Sequence, residues 1–205
     1  MKAILTMYSL ESFLFHRLNL GSREQDTSII LTLGPFAVAL SKVINNIQKN
    51  RADKMIGPFV CYSGMALDQD LIESWKGKEK IVIEGYRSTS LDLGVARTFA
   101  ARNETDKLDQ VVLAIEMENK SGLYYICLDR HDYSVYPDEK EILLEAGLIA
   151  EVKSFVEIED NHGKLTMFNL YISDKMVKKY KMRRQLVLIV PLIFICLKQL
   201  VTLGT

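Results

Sequence analysis

The chain has no excess of either charge: 26 lysines and arginines stand against 26 aspartates and glutamates in 205 residues. It therefore carries no global field that would draw in nucleic acid or an anionic membrane. Cysteine is scarce. Cys61, Cys127 and Cys196 are odd in number, far apart and set among apolar residues, without the CxxC or Cys/His spacing of a metal site or the even count of a disulfide framework. They read as reduced and buried, which points to an intracellular, cytoplasmic setting. A Walker loop and a dinucleotide-binding glycine fingerprint are both missing, so any nucleotide would be held without a P-loop or a Rossmann unit. Repeats and low-complexity tracts are absent too. His16, His131 and His162 are scattered, with no companion ligand or nucleophile at a useful spacing. Trp75, Phe99 and Phe155 lack the interleaved basic residues of a base-stacking platform and read as core.

What is present fits one ordinary domain with residues to spare: 48% of the chain is hydrophobic and 25% charged. We divide it into an N-terminal extension (1–34), a folded domain (35–175) and a C-terminal tail (176–205). The first five residues begin like a signal peptide, but Ser9, Glu11 and Ser12 interrupt the apolar run and no small-residue cleavage site follows. The tail opens with Lys178, Lys179, Lys181, Arg183 and Arg184 and continues into an apolar run from Leu186 to Leu197 broken by Pro191. About twelve helical residues reach roughly 18 Å, short of the roughly 30 Å hydrocarbon layer. Continuing to Leu203, with Lys198 snorkelling to the far interface, brings the length close. Two readings stay open: a membrane anchor that keeps the domain on the cytosolic side, or a terminal element buried against the domain or without a folded role.

The middle of the chain reads as helices first and strands later. Phe36, Val38, Leu40, Val43, Ile44 and Ile47 recur at helical spacing behind Pro35, which predicts a packing helix that starts there. A β-prone run, Phe59 to Tyr62, ends at Gly64. A short helix follows around Asp70 to Trp75, then a strand approach from Lys80 to Tyr86. Leu91, Val95 and Phe99 then mark a helix that Ser90 would cap. Val111–Met117, Leu123–Leu128, Glu141–Leu144, Ile149–Ile158 and Leu165–Ile172 read as strands, and the whole as an α+β domain.

Two short motifs carry chemistry. Ser88-Thr89-Ser90 stands between a strand and a helix, and far downstream Glu139-Lys140-Glu141 opens the apolar run Ile142-Leu143-Leu144. If the latter is extended, alternation puts both carboxylates on one face and Lys140 on the other. Each tripeptide alone also fits a solvated strand end. Taken in order with Tyr62-Ser63-Gly64-Met65, they resemble the mono-ADP-ribosyltransferases of the arginine-serine-glutamate class, over roughly residues 35–175.

That resemblance implies N-terminal helices packed on two small β-sheets around an NAD cleft, with NAD or NADP as co-substrate, no metal, and an arginine-bearing protein as acceptor. The reaction is a glycosyl transfer. It breaks the ribosyl–nicotinamide bond with positive charge developing on the ribose, which a fixed carboxylate stabilises. The resemblance gives that task to Glu141, directs Glu139 to the acceptor guanidinium, and makes Ser88 the residue that orients the catalytic carboxylate and the ribose. Tyr62, Ser63, Gly64, Arg87, Thr89 and Ser90 complete the cofactor-binding set, and Tyr133 and Tyr136 would meet the target protein. One position departs from the pattern. The family has an arginine where this chain has Ser63, so the charged fork on NAD must come from elsewhere, with Arg87 the candidate. Two other functions fit the same features: a protein of this fold that binds without turnover, and a membrane-tethered interaction protein.

Overall fold

The computed structural model describes residues 2–9, 17–19, 27–49, 57–102, 108–120, 124–128, 137–160 and 163–176. The tail beyond residue 176, Tyr133, Tyr136 and all three histidines lie outside them. Helices α1 (Lys2–Ser9) and α2 (Thr27–Lys49) come first. Helix α2 begins well before Pro35, which sits inside it. The apolar spacing extends upstream through Leu33, and tertiary packing tolerates the one backbone donor that proline removes. The boundary drawn between residues 34 and 35 therefore falls within a continuous helix. Leu5 and Tyr8 of α1 are fully buried in one cluster with Leu40, Val43 and Ile44 of α2.

The remaining elements are β1 (Phe59–Leu67), α3 (Gln69–Lys76), β2 (Lys80–Ile83), β3 (Arg87–Ser90), α4 (Leu93–Arg102), β4 (Asp109–Met117), β5 (Tyr125–Cys127), a 3-10 turn (Pro137–Glu139), β6 (Glu141–Leu144), β7 (Leu148–Asp160) and β8 (Gly163–Ile172). Asp68 caps α3 by accepting from the Leu71 N–H at 2.8 Å. The strands form one sheet in the order β2-β7-β8-β4-β1-β3-β6-β5. Among the described strands, only β4 and β8 run parallel.

A single sheet replaces the two that were expected, and the pairing explains why the distinction is narrow. Strand β1 matches β4 along its whole length, from Phe59 opposite Met117 to Leu67 opposite Asp109. On its other side it meets β3 only where Tyr62 faces Ser90. A five-strand half and a three-strand half are thus hinged at one register pair.

Layers follow from alternation. Val111, Leu113, Ile115 and Met117 of β4 face a core shared with Cys61, Ile72 of α3 and Phe168. Val112 faces the opposite way, under Ala96 and Ala100 of α4. A strand covered on both faces needs the near-continuous apolar run that this sequence supplies. Beyond the hinge, Ile126 and Leu143 of the smaller half pack against α1 and α2.

Candidate active site

Where β1 and β3 part, a cavity of about 450 Å³ opens. Its walls are residues 62–66 of β1, residues 85–90 leading into and forming β3, the inner face of α4, and the two glutamates, Glu139 at the end of the 3-10 turn and Glu141 at the start of β6. All nine residues nominated from the sequence line it: Tyr62, Ser63, Gly64, Arg87, Ser88, Thr89, Ser90, Glu139 and Glu141. Strand β1 runs past Gly64 to Leu67, so Ser63 and Gly64 lie within a strand and not in a loop at its end.

Ser88 Oγ donates to Glu141 Oε1 at 2.7 Å, fixing a carboxylate that is only 6% exposed. The adjacent hydroxyls are spent on the framework. Thr89 Oγ1 donates to the Ile142 carbonyl at 2.7 Å and Ser90 Oγ to the Glu139 carbonyl at 2.6 Å. Ser90 does not cap α4 as expected. Its Oγ instead accepts the Asp92 N–H, and Asp92 caps the helix by accepting from the Gly94 N–H, each at 2.8 Å.

The two glutamates do not reach the cavity by strand alternation. Glu139 ends the 3-10 turn, Lys140 is left-handed with φ of 47°, and Glu141 starts β6. The Lys140 side chain pairs with Asp92, at 3.7 Å.

Ser63 is buried, and its Oγ donates to the Ser88 carbonyl at 3.0 Å across the opening between β1 and β3. Gly64 is required by packing: a Cβ there would stand 1.7 Å from the Ala96 carbonyl oxygen. Helix α4 can therefore cross β1 closely enough to wall the cavity. Arg87 lines the cavity with Nη1 at 3.9 Å from Met65 Sδ.

Two of the polar lining residues that the sequence reading did not nominate are Arg102 and Asn19. Arg102 ends α4 one turn beyond Phe99, and the spacing 95, 99, 102 already placed it on the same helix face. Asn19 lies far upstream in sequence and carries no local signal. It donates to Tyr8 Oη at 3.0 Å, and Tyr8 donates in turn to the Tyr86 carbonyl at 3.1 Å, tying the N-terminal helices to the residue before Arg87. Burial pushes the Tyr8 phenol well above its ordinary range, so it stays a neutral donor.

The family model for the ADP-ribosyltransferase exoenzymes matches residues 42–179. This chain belongs to the ADP-ribosyltransferase exoenzyme family. Among solved structures it is similar to Plx2a, an ADP-ribosyltransferase toxin from Paenibacillus larvae, at 13% identity and a TM-score of 0.59, covering 83% of this chain and 84% of that one. Vis, an ADP-ribosyltransferase from Vibrio splendidus crystallised with agmatine, is similar at 17% identity and a TM-score of 0.58, covering 83% and 73%. Exoenzyme S from Pseudomonas aeruginosa, solved with carba-NAD bound, gives 20% identity and a TM-score of 0.55, covering 83% and 72%. At these identities the likeness is one of fold. Comparison with curated protein sequences returns no match.

Membership in the exoenzyme family carries NAD-dependent ADP-ribosyl transfer as the activity and NAD as the co-substrate. The cavity's donor set suits that molecule. Arg87 and Arg102 bring cationic side chains to the lining, Val95, Phe99 and Leu108 offer apolar surface, and Glu141 adds a buried carboxylate.

Proposed function

We propose that this exoenzyme transfers a single ADP-ribose from NAD to arginine side chains of proteins, releasing nicotinamide. The observation that carries the reading is the placement of Glu139 and Glu141 on one cavity, with Ser88 holding the second. Glu141, buried and oriented, stabilises the positive charge that develops on the ribose as the nicotinamide bond breaks. Ser88 sets the angle of that carboxylate. Glu139, more exposed at the cavity mouth, pairs with the incoming guanidinium and holds its nitrogen toward the ribose. Tyr62, Ser63 and Gly64 line the NAD cavity, and Arg87 takes up the cationic role that Ser63 cannot fill. The fold neighbour Vis was crystallised with agmatine, a guanidinium compound, which supports an acceptor of this class.

The decisive experiment follows nicotinamide release and the labelling of agmatine from radiolabelled NAD. Wild-type protein should do both. Glu141→Gln should lose both by at least about a hundredfold, the usual effect of removing a transition-state electrostatic partner, whereas Glu139→Gln should lose labelling and retain NAD hydrolysis. Well-folded wild-type protein that releases no nicotinamide at saturating NAD would sink the proposal. Ser63 favours a second reading, NAD binding without turnover, and the same assay beside a calorimetric binding titration separates the two.

A further inference from the structure

We infer that Ser90, Leu91 and Asp92 form a cradle that positions Glu139, with the left-handed Lys140 as its working part, and that this cradle sets how ADP-ribose divides between a guanidinium and water. The inference rests on the arginine-directed reading above. Lysine rarely adopts positive φ, and a residue held there persists only where its surroundings impose it. The imposing groups are three successive residues. Ser90 Oγ donates to the Glu139 carbonyl at 2.6 Å, the Leu91 N–H donates to the Lys140 carbonyl at 3.3 Å, and the Asp92 carboxylate meets Lys140 Nζ at 3.7 Å. The last contact is solvent-exposed and weak, so the two bonds to backbone carbonyls do most of the holding. Ser90 is itself fixed by the Asp92 N–H, and Asp92 by its cap on α4, so the cradle is anchored to the helix that walls the cavity.

The two carboxylates are therefore held separately. Glu141 takes its orientation from Ser88 and from the β3–β6 register, in which Ser90 faces Glu141. Glu139 takes its place from a turn whose geometry depends on one residue's φ. Turning Lys140 back to an extended conformation would swing Glu139 about that residue and leave Glu141 in its strand. Acceptor positioning can thus be lost while the ribose-stabilising carboxylate remains, and water then takes the ADP-ribose. Ser90 and Lys140 are positioning residues, acting through Glu139.

The test compares Lys140→Asn, Lys140→Val and Ser90→Ala, reading agmatine labelling and NAD hydrolysis in parallel and solving the crystal structure of each. Asparagine accepts the left-handed conformation and a β-branched valine does not. Lys140→Asn should keep the wild-type ratio of transfer to hydrolysis. Lys140→Val should lower that ratio by roughly tenfold, as the strain of one misplaced backbone residue would, with hydrolysis little changed, and Ser90→Ala should lower the ratio too. An unchanged ratio in Lys140→Val, or an equal fall in Lys140→Asn, would overturn the inference. The crystal structures decide the cradle apart from the chemistry: the Glu139 carboxylate should line the cavity in wild type and Lys140→Asn and be withdrawn from it in Lys140→Val. A Glu139 that stays in place in Lys140→Val refutes the cradle whatever the rates. Wild-type protein that neither labels nor hydrolyses refutes the arginine-directed reading instead, and leaves the cradle to be judged on those structures.

Discussion

At the residue scale, the cavity owes its chemistry to side chains whose types were legible and whose partners were not. Serine and glutamate in the right order marked Ser88 and Glu141, and the two meet at 2.7 Å. Nothing local could tell that Thr89 and Ser90 direct their hydroxyls to backbone carbonyls across β6 and the preceding turn, because such bonds depend on which strand becomes the neighbour. Ser63 is the sharpest case. Read as the loss of a charged fork, it proves to be a buried hydroxyl bridging to the Ser88 carbonyl beside two arginines on the same cavity. An arginine at this position would add a charge-assisted contact of about 1.5–3 kcal/mol, less the lost hydroxyl bond of about 1 kcal/mol. We therefore expect Ser63→Arg to tighten NAD binding by roughly two- to thirtyfold in a calorimetric titration. Arg102→Ala should weaken it by a similar factor, and Ser63→Arg should restore what Arg102→Ala loses. Unchanged affinity in all three proteins would remove both arginine positions from the cofactor grip.

At the element scale, periodicity located the strands and helices well and failed where close packing or backbone strain decided the outcome. In β4 the apolar side chains divide between the two faces, and in β8 buried and half-buried positions alternate from Thr166 to Ile172, whereas β7 shifts register between Val152 and Ser154 and leaves the adjacent Phe155 and Val156 exposed. The Glu139–Glu141 segment reads as extended because alternation accounts for both carboxylates, yet a 3-10 turn and a left-handed lysine produce the same convergence by another route. Pro35 is a good first-turn residue and so marks a false start for α2, which runs on upstream to Thr27 with Leu33 partly buried against the helical cluster. Gly64 shows how one residue can set the relation between two elements. With no side chain, it lets the Ala96 carbonyl and the Ala100 N–H approach β1, and both obstacles to a Cβ are backbone. Gly64→Ala should cost about 1–3 kcal/mol or more by overpacking. For a chain of this size that lowers the melting temperature by roughly 2–10 °C. Displacing α4 also moves Phe99 and Arg102, so NAD binding should weaken in the fraction that remains folded. Calorimetric melting of the variant checks the first expectation, and an unshifted melting temperature would show that α4 is free to move away from β1.

At the scale of the whole molecule, the α+β class and the family fold were legible, while the continuity of the sheet was not, since it turns on the single β1–β3 pair at Tyr62 and Ser90. That hinge places the site, and the residues behind it form the core that holds both halves. Cys61 lies there on β1, fully buried beside the elements that the cavity depends on. Burial pushes its thiol from an ordinary 9.0 up to about 12, because the apolar surroundings disfavour the thiolate. The unfolded chain therefore releases this proton first. Below about pH 9 both states keep it and stability is unaffected; between about pH 9 and pH 12 only the unfolded state has lost it, and the folded state is penalised by roughly 1.4 kcal/mol for each pH unit. Tyr8, raised by the same cause, adds to the fall from its own higher range. Urea unfolding at pH 8, 9, 10 and 11 should thus show stability declining once pH passes 9, with the decline shallower by about one proton in Cys61→Ala even though that variant starts from a lower stability. Identical slopes in the two proteins would mean that Cys61 ionises within the folded state, and so that water reaches the hinge between the two halves of the sheet.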